Sequence, residues 1–426
     1  MKNENERVIV VGLNITNSRK KSKFDIEASM RELEELVQAA GGEVVGSIIQ
    51  NKLSVDVAHY VGIGKAQEIR DYVEKFEVDL VVFNDELSGV QMRNLEETIG
   101  VSVVDRTALI LDIFAQRALS REGKLQVELA QMKYRLPRLL GLGKQMSRTG
   151  AGIGTRGPGE KKLEIDRRTI AKRISDIRKE LKEVQKNRDV QRAQRLKSQI
   201  PIVALVGYTN AGKSTLLNTL IKSHGEYTSE KEVFSKDMLF ATLDVTLRKA
   251  LLPCNKEFLI TDTVGFVSNL PHDLVDAFKA TLEEVKYADL ILHVVDASNE
   301  DYDLQMDTTL HVLKELDCLD KDIITVFNKL DKTEYQVDVP GGEDVVFISC
   351  KTGYNMDALM DKIEEHLLGG LLQVELLIPY DRGDVFSSIQ QKSQVESFEY
   401  KEEGIYAVVL LAPDERWKYE DYLYEK

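Results

Sequence analysis

The run Ile202-Val-Ala-Leu-Val-Gly-Tyr-Thr-Asn-Ala-Gly-Lys-Ser-Thr215 restricts the fold of this chain more than any other segment. Its apolar stem reads as a buried parallel strand, and the residues from Thr215 through Leu-Leu-Asn-Thr-Leu-Ile221 read as a helix. Between them stands Gly207-x-x-x-x-Gly212-Lys213-Ser214, a turn that brings backbone N–H groups and a helix N-terminus onto one anion. An accidental glycine-rich turn would not combine the strand, the spacing, the lysine and the hydroxyl. Residues Gly207, Tyr208, Thr209, Asn210, Ala211, Gly212, Lys213, Ser214 and Thr215 are therefore expected to wrap a nucleotide's phosphates. Lys213 would bridge the outer phosphates and Ser214 would ligate Mg2+.

Three later segments follow in the order a guanine nucleotide hydrolase needs. Phe258-Leu-Ile-Thr-Asp262-Thr263-Val264-Gly265 is an apolar strand ending in D-x-x-G. Asp262 can hold the magnesium shell through water, and the Gly265 N–H can reach a γ-phosphate. Ile323-Ile-Thr-Val-Phe-Asn328-Lys329-Leu330-Asp331 delivers N-K-x-D, whose terminal carboxylate can accept two hydrogen bonds from the guanine ring N–H and exocyclic amine. Adenine lacks that donor pair and would leave a buried carboxylate unpaired, a costly arrangement. Ser349-Cys350-Lys351 ends a further strand and can offer a backbone N–H to the guanine carbonyl.

The intervening Phe240-Ala241-Thr242-Leu243-Asp244 is a weaker signal. Thr242 is the best switch threonine, joining Ser214 on magnesium, although a buried strand threonine would look the same. Lys213, Thr242, Gly265 and Asn210 make up the expected catalytic set. Phe266 stands where a water-orienting glutamine is common, so slow intrinsic turnover is expected. The Asn210 side chain would either help coordinate K+ beside the phosphates or simply tolerate a left-handed turn.

Together the runs G-Y-T-N-A-G-K-S, F-A-T-L-D, D-T-V-G-F and Leu270-Pro-His-Asp-Leu-Val-Asp-Ala-Phe resemble the HflX GTPases of the Obg-HflX superfamily. The stretch Ser147-Arg-Thr-Gly-Ala-Gly-Ile-Gly-Thr-Arg-Gly-Pro-Gly-Glu160 is similar to that family's own glycine-rich linker. The resemblance extends over nearly the whole chain, departing modestly at Lys161 and Val245. It implies a partner, the large ribosomal subunit with its rRNA and proteins, and an action, the splitting of idle or stalled ribosomes.

Charge distribution agrees with a polyanionic partner despite the overall −14. Residues 117–198 hold 23 Lys and Arg against 9 Asp and Glu, a local +14, which leaves 34 against 62, or −28, elsewhere. A distinct class of function remains open, a signalling or scaffold GTPase whose basic segment meets an anionic membrane surface. DNA is not expected as a partner, and a monomer is. A polar N-terminus, the lack of any run of about 18 apolar residues, and three scattered cysteines (Cys254, Cys318, Cys350) together lead us to expect a cytoplasmic protein, with at most peripheral membrane contact.

The expected architecture is α/β, a P-loop GTPase domain with three additions. Residues 1–106 read as an N-terminal α/β domain with four short strands. Residues 107–198 read as a basic antiparallel helical hairpin. Leu125, Leu129, Met132, Leu136 and Leu139 mark one helix, and Leu163, Ile170, Ile174, Ile177, Leu181 and Val184 mark the other. A helix over 160–198 would be roughly 58 Å long, so the hairpin should project. Its tip loop, 141–159, holds seven glycines with Lys144, Arg148 and Arg156 as the expected ribosome-contacting residues; a flexible linker is the plainer alternative. The GTPase domain is expected over 199–369 and a small C-terminal α/β domain over 370–426, where Tyr380-Asp-Arg-Gly-Asp384 has no evident catalytic role.

Overall fold

The computed structural model describes residues 5–16, 26–146, 158–196, 200–224, 240, 246–263, 265–268, 283–333, 342, 344–369, 372–411, 413 and 415–424. The chain divides into two compact units, the first formed mainly by residues up to 193 and the second mainly by those from 194 onward.

In the first unit, strands β1 (Arg7–Ile15), β2 (Glu43–Lys52), β3 (Leu80–Phe83) and β4 (Ser102–Asp105) form a parallel sheet in the order β2-β1-β3-β4. Parallel neighbours require crossovers, and helices α1 (Ile26–Ala40), α2 (Ile63–Phe76) and α3 (Gly89–Ile99) supply them. Ile26, Met30, Leu33 and Val37 recur on one helical face, and three of the four are almost fully buried. Gly62, in the turn Gly62-Ile-Gly64-Lys65, caps α2. Helix α4 (Arg106–Arg117) is capped by Asp105, whose buried carboxylate also accepts from Leu87 N, Tyr134 Oη and Arg138 Nη2. That one side chain joins the end of the sheet to the next helix.

Helices α5 (Arg121–Met146) and α6 (Pro158–Leu196) pack antiparallel through Leu125, Leu129, Met132, Leu136, Ile170, Ile174, Ile177 and Leu181. Ion pairs fix the direction: Glu122 meets Arg188 at 3.0 Å and Glu128 meets Arg173 at 2.6 Å, so the partner number falls as the first number rises. The expected glycine loop over 141–159 needs correction. Helix α5 runs on through Gly141 and Gly143, and α6 begins at Pro158, where a fixed φ suits a first helical turn. A glycine inside a helix costs only about 1 kcal/mol against alanine, too little to end a helix whose preceding turns are packed.

The second unit holds a six-stranded sheet in the order β10-β9-β8-β5-β7-β6. Its strands are β5 (Ile202–Gly207), β6 (Thr246–Leu251), β7 (Glu257–Asp262), β8 (Leu290–Asp296), β9 (Asp322–Asn328) and β10 (Val345–Phe347). Only β6 runs antiparallel among these described strands. Helices α7 (Lys213–His224) and α9 (Met356–Leu368) pack on one face through Leu216, Leu217, Leu220, Leu359 and Ile363. Helix α8 (Tyr302–Glu315) covers the other through Leu313. Succession reverses at β5: β7 lies to one side and β8 to the other, so the β5 loop opens at the crevice where such sheets take ligands. A three-stranded antiparallel sheet, β11 (Leu372–Ile378), β13 (Gly404–Leu411) and β12 (Gln394–Lys401), ends the chain with α10 (Gly383–Lys392) against it.

Candidate nucleotide site

Strand β5 carries the glycine loop to the carboxyl edge of the sheet, and two glycines have no substitute there. At Gly207, φ is +152° and a Cβ would run into the Val294 carbonyl oxygen; at Gly212, φ is +96° and a Cβ would strike Asn328 Nδ2. Asn210 sits in the left-handed region at φ 59°. The loop is tied to the end of β7: Thr209 N donates to Phe266 O at 2.7 Å, and Phe266 N donates to Gly207 O at 3.2 Å. Gly265 passes so close that a Cβ would lie 2.8 Å from Thr209 Cα and 2.9 Å from Lys213 Nζ. The D-x-x-G glycine and the loop lysine, 52 positions apart in the chain, thus meet in space.

Lys213 opens α7 and is 7% exposed. Its ammonium donates to Gly207 O at 3.0 Å and Tyr208 O at 2.8 Å, and burial pulls its pKa down to about 8 against the opposing pull of Asp262. A desolvated cation with two carbonyl acceptors among the described residues is poised to gain from an incoming anion. One residue on, Ser214 Oγ donates to Asp262 Oδ2 at 2.6 Å, and Asp262 is fully buried. These are hard oxygen donors, from the start of α7 and the end of β7, of the kind a magnesium ion takes. Thr209 Oγ1 is buried with no hydrogen-bond partner among the described residues.

At the other end of the crevice, Asn328 joins the two loops: its Nδ2 donates to Ala211 O at 3.0 Å and its Oδ1 accepts from Cys350 N at 3.1 Å. Lys329, left-handed at φ 66°, donates to Asp296 Oδ2 at 2.7 Å and to Asn210 Oδ1 at 3.5 Å. Asp331 accepts from Ser349 Oγ at 2.7 Å, with Lys351 Nζ 3.9 Å away. The Ser349 hydroxyl is the chief cause holding the Asp331 carboxyl below its ordinary pKa, so it stays ionised at neutral pH as a double acceptor. Burial pushes the Cys350 thiol up to about 12, which leaves it an inert neighbour.

The sequence-expected residues Gly207 to Thr215, Phe240, Asp262, Thr263, Gly265, Asn328 to Asp331 and Ser349 to Lys351 are all described. Ala241, Thr242, Leu243, Asp244 and Val264 lie outside the described residues, as do Arg148 and Arg156; Lys144 lies in α5. Two site residues escaped the sequence reading. Asp296 anchors Lys329, and His293, 1% exposed on β8 beside Val206, is pulled down to about 4 by burial and then by Lys213. The stretch Leu290-Ile-Leu-His-Val-Val-Asp296 reads as a strand, but nothing local to it marks either residue for the site.

Four family models tile the chain: "GTP-binding GTPase N-terminal" over residues 27–115, "GTP-binding GTPase Middle Region" over 117–195, "50S ribosome-binding GTPase" over 202–329 and "HflX C-terminal domain" over 336–417. GTPase HflX of Caldanaerobacter subterraneus subsp. tengcongensis is 50% identical over 89% of this chain and 86% of its own. GTPase HflX of Escherichia coli is 39% identical over 97% and 95%. A GTP-binding protein of Sulfolobus solfataricus solved with GDP is similar at 24% identity and a TM-score of 0.45, covering 85% of this chain and 98% of that one. With a phosphate loop, D-x-x-G and N-K-x-D gathered on one sheet edge and relatives of this identity along almost its whole length, the chain belongs to the HflX family of GTPases, enzymes that hydrolyse GTP.

Proposed function

We propose that the chain is a magnesium-dependent GTP hydrolase that binds the large ribosomal subunit in the cytoplasm and splits idle or stalled ribosomes. The observation that carries the ribosomal part is the charge segregation, +14 over residues 117–198 against −28 elsewhere, on a chain whose central segment matches the 50S ribosome-binding GTPase model. RNA phosphates release counterions on meeting such a surface, whereas the rest of the protein is repelled from them. Helix α5 ends at Met146 and α6 starts at Pro158, so the basic pair leads into the glycine-rich stretch that carries Arg148 and Arg156.

In the site, Lys213 would turn from the Gly207 and Tyr208 carbonyls to the outer phosphates, and Ser214 and, through water, Asp262 would hold Mg2+, with Thr242 as the expected switch ligand. The ion supplies charge neutralisation for the transferred phosphoryl group. The Gly265 N–H would reach the γ-phosphate. Asp331 reads guanine, while Ser349, Cys350 and Lys351 line the base. Asn328 acts behind the base by holding both loops. Phe266 is buried at 4% exposure and has no group to orient water, which motivates a low basal rate. Asn210 Oδ1 faces Lys329 Nζ, so K+ would have to compete with that ammonium for the oxygen. Faster hydrolysis in potassium than in sodium at equal ionic strength supports Asn210 as a potassium ligand; equal rates leave it a turn residue.

The test of the whole reading is a salt series of pelleting assays with purified large subunits, alongside hydrolysis on the same preparations. The double variant Arg148→Glu, Arg156→Glu should bind subunits more weakly and with a flatter salt dependence, and basal hydrolysis should hold. Unchanged binding and slope would move the anchor elsewhere. Flotation with anionic vesicles in place of subunit binding would favour the membrane-bound scaffold.

A further inference from the structure

The C-terminal sheet protects its two edges unequally. Along β11 the chain's own end lies down: Leu376 bridges Leu423 antiparallel, and Tyr424 N donates to Glu375 O at 2.9 Å. At the other edge, β12 pairs inward with β13 and no described strand lies outside it. Residues Glu396 to Tyr400 are all exposed, a run of unpaired strand edge.

Two aromatic side chains stand on that edge. Phe398 lies opposite Ala407 and Tyr400 opposite Ile405, so both share the face that α10 covers. Phe398 packs on the buried Phe386 with ring centres 5.3 Å apart, Tyr400 meets Phe398 edge-on at 5.9 Å, and Tyr380 stacks on Tyr400 at 6.5 Å. Tyr380, the first residue of Tyr380-Asp-Arg-Gly-Asp384, is locked by donating to Lys401 O at 2.6 Å and supplies the last ring of the ladder. The ladder starts at the buried Phe386 and presents three exposed rings, Phe398 at 44%, Tyr400 at 68% and Tyr380 at 54%.

The opposite face of β12 differs. Glu399 lies across from Tyr406 and Ser397 across from Val408. Residues 394–403 contain four acids, Glu396, Glu399, Glu402 and Glu403, and a single base, Lys401, whose ammonium sits 3.7 Å from the centre of the Tyr406 ring. Two copies of this edge would bring the same net acidic excess together, which disfavours self-pairing. The same acids repel RNA and anionic lipid.

We infer that the β12 edge docks an extended protein segment in which apolar residues alternate with lysine or arginine, added as a fourth strand. Main-chain hydrogen bonds supply the pairing, the apolar residues lie on the Phe398–Tyr400–Tyr380 ladder, and the cationic residues meet Glu399 on the other face. The inference stands apart from the ribosomal reading, because it concerns a different surface and opposite charge.

The experiment uses the full chain and a labelled, capped octapeptide alternating Lys and Val, with a Glu-Val octapeptide as control. Anisotropy reads affinity, and amide hydrogen exchange reads strand addition. The cationic peptide should bind and slow exchange at residues 396–400, and the acidic one should do neither. Tyr400→Ser and Glu399→Lys should each weaken binding about tenfold while basal GTP hydrolysis stays unchanged, which reports an intact fold. Equal binding of the two peptides, protection elsewhere than 396–400, or unaltered affinity in both variants would overturn the docking surface. So would protection of 396–400 by oligouridine or phosphatidylglycerol vesicles instead of the peptide, or a dimer that Tyr400→Ser dissolves.

Discussion

Replacing Asp331 by Asn tests the base-reading assignment at a single atom pair. The carboxylate is 15% exposed, its Oδ1 accepts from Ser349 Oγ at 2.7 Å, and the substitution keeps its volume. What changes is the chemistry presented to the base: a double acceptor becomes one acceptor and one donor. Guanine then loses two charge-assisted hydrogen bonds, each worth about 1.5–3 kcal/mol, or about 3–6 kcal/mol together. That corresponds to roughly a hundred- to ten-thousandfold weaker GTP binding. Xanthine carries a carbonyl where guanine has its amine, so it matches the new donor and should gain. The assay is displacement of a fluorescent guanine nucleotide by GTP and by xanthosine triphosphate at neutral pH, where the depressed pKa keeps the wild-type carboxyl ionised. A GTP affinity within about threefold of wild type, with no gain for the xanthine nucleotide, would refute the assignment.

Two further expectations follow from buried titrating groups. Because burial holds the Lys213 pKa at about 8 and phosphate favours its charged form, GTP affinity should be flat below about pH 8 and fall by at most about tenfold per pH unit above it. Calorimetry in two buffers should register proton uptake on binding there, and constant affinity up to about pH 9 would show that Lys213 does not titrate against nucleotide. For His293 the folded pKa, about 4, lies below the ordinary 6.5, so the unfolded chain takes its proton first as pH falls. Stability should drop across that window by up to roughly 3 kcal/mol. Urea titrations of wild type and His293→Gln should show the acid slope flattened in the variant, and identical slopes would assign the loss to other groups.

Much of the site was legible because its chemistry is local. Gly207, Gly212, Lys213 and Ser214 lie within one turn-forming stretch, and N-K-x-D is a short strand end. The structure adds why two of the glycines are obligatory, through the Val294 carbonyl and the Asn328 amide. Those neighbours are 87 and 116 positions away and leave no mark on the loop's own pattern. Asn328 read as part of a base-binding motif, yet both of its amide groups are spent on the phosphate loop and on Cys350 N. Asp296 and His293 were invisible because a carboxylate at a strand end and a histidine in an apolar run have no meaning until the sheet sets them beside Lys329 and Lys213. The tip of the hairpin was misjudged for the opposite reason: glycine content argues for a loop, but packing along α5 outweighs a penalty of about 1 kcal/mol at Gly141 or Gly143.

By itself the sequence determined the elements and their patterning: which runs are strands, which face of each hairpin helix is apolar, where the glycine loop lies, and where positive charge concentrates. Those properties depend on residues a few positions apart, over which side-chain spacing and backbone propensity act directly. Only the tertiary structure decided the strand order around β5, the Asn328 tie between loops, the depressed pKa of Lys213, and the open edge at β12. Each depends on which distant segment becomes a neighbour, and burial, field and unpaired hydrogen-bonding groups exist only once those neighbours are in place.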